Sequence, residues 1–128
     1  MRATARGTFE IELRPGPSEL DGAVNRLDFS KIFHGDLDGS GVGIMLFMGD
    51  PGTGTAGYVA IERVSGRLHD REGGFALQQF GTMRDGAQVL HYGVVPGSGE
   101  DGLAGMSGTL HLTVDTDGTH RFELEYEL

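Results

Sequence analysis

The chain has 128 residues, with 23 glycines, no cysteine and a formal net charge of −9. This length suits one domain with a sizeable core, and the lack of cysteine excludes disulfides, thiolate metal sites and a cysteine nucleophile. The negative charge disfavours nucleic acid and anionic membrane surfaces as partners, so we expect neither.

Short runs that alternate apolar and polar side chains predict β-strands along the whole chain. In chain order, strands are predicted at 8–13, 24–34, 42–48, 58–64, 67–68, 73–83, 88–95, 109–114 and 120–128. Segments rich in glycine, proline or polar residues separate them, including a polar loop at 18–22 and a turn at 35–39. This succession of strands, without a convincing helix, predicts a single all-β domain over residues 1–128, closed as an antiparallel barrel.

Two adjacent charges single out the strand at 58–64. Glu62 and Arg63 point to opposite faces, so one of them lies on or near the barrel interior. A lone charge there is costly without a partner. Two interpretations remain open. The charge is either a polar group lining an apolar cavity, as in barrel binding sites, or part of a structural network, with Arg71 as candidate partner.

Four residues are candidates for ligand binding. Tyr58 and Glu62 share one face of their strand. Gln78 and Gln79 face opposite ways, so one amide points inward. We assign Gln78 to the same polar end of the cavity as Tyr58 and Glu62, with His34 as a further member. The resulting hypothesis is a barrel that binds a small apolar molecule with a polar end.

The alternative is a structural or protein-interaction barrel that holds no ligand. Small barrels are commonly filled by their own side chains. The interior would then contain no cavity and would be filled by six apolar residues, Phe9, Ile11, Phe75, Leu77, Leu110 and Leu112.

Motifs for metals and cofactors are incomplete in this sequence. Residues 36–41 match the first half of a calcium-binding loop, but Phe47 stands where the closing glutamate is required. A turn whose aspartates bind backbone N–H groups accounts for the same residues. The glycine-rich segment 49–57 lacks the lysine of a phosphate-binding loop, and none of the five histidines belongs to a close metal-ligand pair. We therefore expect no metal and no cofactor.

Apolar segments in this sequence are short. None has the form of a signal peptide, and none reaches the roughly 20 residues that a membrane helix needs. These features predict a cytoplasmic protein.

Seven blocks of the sequence carry a resemblance to a known family. They lie at 8–10, 33–37, 57–64, 73–78, 81–83, 95–99 and 103–105. With these blocks, the chain resembles the bacterial family of uncharacterised small proteins grouped with the allene-oxide-cyclase-like barrels. The resemblance implies an eight-stranded antiparallel barrel of calycin type, without an established activity. Gln78-Gln79 stands where this family often has a Gln-His pair.

The plant enzyme that names this group of barrels extends what the resemblance implies. It cyclises an unstable fatty-acid epoxide inside its barrel, largely by steric positioning, so isomerase-like or cyclase-like chemistry is implied for the cavity. Plant enzymes of this type are trimers, so a homo-oligomer is implied as well.

Overall fold

The computed structural model describes residues 1–18, 20 and 22–128. Within these residues the chain forms nine β-strands and one short 3₁₀ helix. The strands are β1 (Arg2–Pro15), β2 (Asn25–Gly35), β3 (Leu37–Asp50), β4 (Thr55–Leu68), β5 (Arg71–Arg84), β6 (Ala87–Val94), β7 (Glu100–Asp101), β8 (Ser107–Val114) and β9 (His120–Glu127). The 3₁₀ helix, Pro51–Thr53, joins β3 to β4.

Eight of these strands close into a barrel. Neighbours pair antiparallel in the order β1, β2, β3, β4, β5, β6, β8 and β9, and β9 pairs back with β1. The two-residue strand β7 pairs beside β6 on the edge of β5, at Gly73 and Gly74. The predicted all-β, eight-stranded antiparallel barrel with essentially no helix is therefore confirmed.

Several strands are longer than the sequence pattern predicts. The segment 35–39 is not all turn, because β3 already begins at Leu37. The short strand predicted at 67–68 is the end of β4. Glycines explain both errors. Gly39 pairs with Gly66 in the β3–β4 ladder, and glycine has no side chain that would show the alternating pattern of a strand. The loop predicted at 18–22 includes Glu19 and Asp21, which lie outside the described residues.

One end of the barrel, here called the closed end, is filled by apolar side chains. It lies at the β2–β3 and β4–β5 turns and is covered by the segment between β6 and β8, which buries Leu103 and Met106. Of the six residues predicted to fill the barrel, Phe9, Phe75, Leu77 and Leu110 are buried in this core. Ile11 and Leu112 are partly buried and pack against it.

The other end, here called the open end, lies at the β3–β4, β5–β6 and β8–β9 connections. Its hairpins include the tight turn Asp85-Gly86, in which both residues have positive φ, as a two-residue type I′ turn requires. The inward-facing side of the strands is less well covered here. Leu13, Leu90 and Val114 point toward this end and are exposed. The interior therefore changes from a packed core to an open mouth along the barrel.

Candidate binding pocket and the ion pair beneath it

A pocket of about 440 Å³ occupies the open end. Its walls come from β2 to β6 and are mainly apolar. Leu27, Met45, Phe47, Met83 and Leu90 contribute the largest apolar side chains. An apolar concavity of this size with few polar groups is the usual form of a small-molecule site.

Tyr58 contributes a hydroxyl to the wall of this pocket, which also includes the polar residues Thr82 and Gln88. Its hydroxyl donates a hydrogen bond to Oε1 of Gln79 at 2.8 Å. Its ring lies directly over Gly81, where a Cβ atom would overlap the ring. Burial raises the pKa of the Tyr58 hydroxyl, so the group stays protonated and able to donate at neutral pH. Gly81 on β5 thus leaves room for the Tyr58 ring, and Gln79 orients the Tyr58 hydroxyl.

Deeper in the barrel, three polar side chains form a buried cluster, the Lys31–Glu62–Tyr92 triad. The Lys31 ammonium is 3.0 Å from Glu62 Oε1 and donates to the Tyr92 hydroxyl at 2.8 Å. The Tyr92 hydroxyl in turn donates to the same Glu62 oxygen at 2.5 Å. Lys31 is 3% exposed, Glu62 2% and Tyr92 6%. Each member therefore contacts the other two and is shielded from solvent.

Aromatic rings surround the charge of Lys31. Its Nζ lies 4.5 Å from the centroid of the Phe9 ring and 5.3 Å from that of Phe29, distances at which a ring face attracts a cation. Burial lowers the pKa of Lys31, and the Glu62 carboxylate opposes that shift. Burial, and then the Glu62 carboxylate, raises the pKa of Tyr92 well above its ordinary value of 10.0. The triad is thus an ion pair with a neutral tyrosine bridging it.

Glycines on the inward face of β3 make room for this cluster. A Cβ atom at Gly43 would overlap the Phe29 ring and lie 2.7 Å from Cβ of Glu62. A Cβ atom at Gly41 would lie 3.3 Å from Glu62 Oε2. That oxygen is buried and has no hydrogen-bond partner among the residues that the structure describes. The Glu62 carboxylate therefore accepts hydrogen bonds through Oε1 only, and its Oε2 lies near the glycine backbone of β3.

The four candidate residues from the sequence are divided between the two sides of the barrel wall. Tyr58 and Glu62 both face inward, as one shared face predicted. Gln78 and His34 lie on the outer surface, so the expectation that all four share one cavity is wrong. The inward amide is that of Gln79, because Gln78 has the opposite parity to Leu77. His34 is exposed, with Nε2 3.8 Å from Glu10 Oε2.

Two members of the triad were missed as site residues. Lys31 shares its parity with Phe29 and Phe33, so the pattern already placed a lysine on an apolar face. Tyr92 lies between Leu90 and Val94 in the same way. The predicted partner of the inward charge, Arg71, is wrong, since its guanidinium donates to the Gly102 carbonyl at 3.4 Å on the surface. The structural network predicted as one interpretation of Glu62 exists, with a different cation.

The turn after β2 shows the role predicted for its first aspartate. Asp36 Oδ2 accepts the backbone N–H of Arg6 at 2.8 Å, which ties the turn to β1. Among the described residues, no group of three or more histidine, aspartate or glutamate side chains is placed to hold a metal ion. The same residues contain no helix long and apolar enough to cross a membrane.

Comparisons with known proteins agree with this architecture. A family model described as "Protein of unknown function (DUF3224)" matches residues 5–126. The chain is also similar to a crystal structure of a protein with unknown function from the DUF3224 family of Shewanella oneidensis MR-1. The two share 37% sequence identity over 100% of this chain and 98% of that chain, with a TM-score of 0.91. None of the curated proteins matches this chain.

Proposed function

This chain belongs to the DUF3224 family of proteins of unknown function, and we propose that it binds a small apolar molecule with a polar end in the open-end pocket. The observation that supports this proposal is the pocket itself. Its volume of about 440 Å³ and its aliphatic, methionine and aromatic walls suit a flexible hydrocarbon rather than a charged metabolite.

The polar end of the molecule would meet Tyr58. The hydroxyl oxygen, whose proton is directed to Gln79, keeps lone pairs that can accept a hydrogen bond from a ligand hydroxyl or protonated acid. A rotation of the hydroxyl lets it donate to a carbonyl or carboxylate instead. Because burial raises the pKa of Tyr58, this donor remains present across the neutral range. The contact would therefore fix orientation, while the apolar walls would supply most of the affinity.

Isomerase-like or cyclase-like chemistry stays a prediction of the family resemblance. The pocket supports binding because its walls are apolar and open. Three ionisable groups inside the barrel, Lys31, Glu62 and Tyr92, bind one another in the triad, beneath the residues that line the pocket. Our proposal therefore covers binding, and any reaction would have to follow from how the pocket bends its ligand.

The experiment is a fluorescence titration with dansyl-labelled undecanoic acid, an apolar chain with a carboxylate end. We expect saturable binding to the wild-type protein. Tyr58→Phe removes only the hydroxyl, and should weaken binding by about threefold to tenfold, the value of one hydrogen bond. Tyr126→Phe is the matched control, because its hydroxyl contacts His69 Nδ1 at the closed end. It should leave the affinity unchanged.

A second pair of variants uses two neighbouring glutamines whose side chains point to opposite faces of β5. Gln79→Ala removes the inward amide that orients Tyr58, whereas Gln78→Ala removes an outward one. Only the first should weaken probe binding. No saturable binding to the wild type would refute the proposal, and equal effects of the inward and outward variants would refute the role of Tyr58.

A further inference from the structure

The outer surface of β3, β4 and β5 carries a cluster of apolar side chains, here called the apolar face, which are exposed except for the half-buried Leu46. In the β3–β4 ladder Ile44 lies opposite Ile61, and Leu46 lies opposite Val59. In the β4–β5 ladder Val59 lies opposite Phe80. Met48 extends the face along β3. Antiparallel partners point their side chains to the same side of the sheet, so these six residues form one continuous surface.

The six residues of this face carry no charge, and their rows end on β2 at the ion pair between Arg26 and Asp28. The residues that continue its rows on β5 and β6 are Gln78 and His91, and the His91 ring stacks on Phe80 at 4.5 Å between centroids. A groove of about 460 Å³ runs over the face. By contrast, the outer side of β1 and β9 carries cross-strand ion pairs such as Arg2 with Glu127. Exposed apolar patches of this extent mark interaction sites in monomeric proteins.

We propose that a second copy of this chain covers the apolar face, with the two faces meeting across a two-fold axis. The charge distribution favours this partner. A basic partner attracted by a net charge of −9 would be met by acidic side chains, which the face lacks. Two copies with that net charge repel each other and can approach closely only through an uncharged area. A two-fold contact also needs nothing but a self-complementary patch.

The size of the face fits such a contact. Three strands about 4.8 Å apart, and residues 44–48 rising about 3.3 Å each, give a patch roughly 15 Å on each side. A standard interface buries about 800 Å² on each partner, which covers this patch together with a polar rim. Gln78 and His91 lie at that rim, where they can form hydrogen bonds between the copies.

Sedimentation velocity over a range of protein concentrations tests the proposal. The wild-type protein should form a species of twice its 13.6 kDa mass. Ile61→Lys and Val59→Lys place a charge in the centre of the face and should raise the dimer dissociation constant at least about tenfold. The matched control is Ile32→Lys, because Ile32 is 49% exposed on the outer side of β2 and Ile61 is 53% exposed. This control should dimerise like the wild type.

Salt gives a second, independent readout. Raising the ionic strength screens the repulsion between the copies, so the dimer should become tighter, whereas an interface held by ion pairs would become weaker. Thermal melting of each variant shows that the lysine has left the fold intact. A wild-type protein that stays monomeric at high concentration would overturn the proposal, even if it captured another protein. So would equal dimerisation of Ile61→Lys and the control, or an assembly of three copies.

Discussion

The closed and open ends of the barrel are built from the same strands but use their inward positions differently. At the closed end, β4 contributes Val64 and Leu68, which are almost completely buried in the core. At the open end the same strand contributes Tyr58, which lines a pocket. The triad, to which β4 contributes Glu62, lies between them. The comparison indicates that one end stabilises the barrel while the other leaves an open pocket.

The triad marks the boundary between these two uses. Each of its charges is paired within the triad, although Glu62 Oε2 has no hydrogen-bond partner among the described residues. The triad is also more polar than the core beneath it, to which it is joined through Tyr92. A buried ion pair contributes little net stability compared with apolar residues, but removing one partner is costly. Substitutions in the triad should therefore have effects on stability that can be told apart from those of substitutions at the two ends.

The largest expected effect comes from breaking the ion pair. Lys31→Met leaves the Glu62 carboxylate buried without its cation, and should lower the free energy of unfolding by about 3–5 kcal/mol. Combining Lys31→Met with Glu62→Gln removes both charges and should recover much of that loss. Urea denaturation measures both. A double variant that is less stable than Lys31→Met alone would contradict this explanation.

A smaller effect separates the two ends directly. Leu68→Ala empties part of the closed end and should cost about 2–5 kcal/mol, since Leu68 is 0% exposed. Met83→Ala at the open end should cost clearly less, because this side chain lines a pocket that solvent already reaches. Thermal and urea unfolding of the two variants provide the comparison. Equal losses would show that the open end is packed as tightly as the closed end.

Alkaline pH should act on the triad through Tyr92. Its folded-state pKa is raised well above the ordinary value of 10.0, so its contribution to stability is complete below about pH 10 and is lost as the pH rises through the folded-state pKa. Lys31 acts in the opposite direction. Its pKa is lowered from 10.5, so the cost of keeping it charged decreases as the pH approaches that value. Tyr92→Phe should therefore flatten the decline in stability above pH 10. An unchanged decline would exclude Tyr92 as its source.

Strand periodicity was sufficient to predict the barrel and one shared face for Tyr58 and Glu62. It could not identify Lys31 as the partner of Glu62, because 31 positions separate them and their contact depends on the whole β2–β3–β4 register. The assignment of Gln78 failed for a different reason. Gln79, not Gln78, shares the parity of Phe75 and Leu77, and a shift of one residue reverses the direction of a side chain. The start of β3 was not predicted because glycines interrupt its alternating pattern. The lack of side chains at these glycines also makes room for Glu62 and Phe29.

The most direct test of a binding end and a stabilising end is to fill the pocket. Met45→Trp places a large ring among the pocket walls, away from the triad and the closed-end core. Titration with dansyl-labelled undecanoic acid should then show binding weakened at least about tenfold, with a melting temperature near that of the wild type. Wild-type affinity in this variant, with the same melting temperature, would contradict binding at the open end.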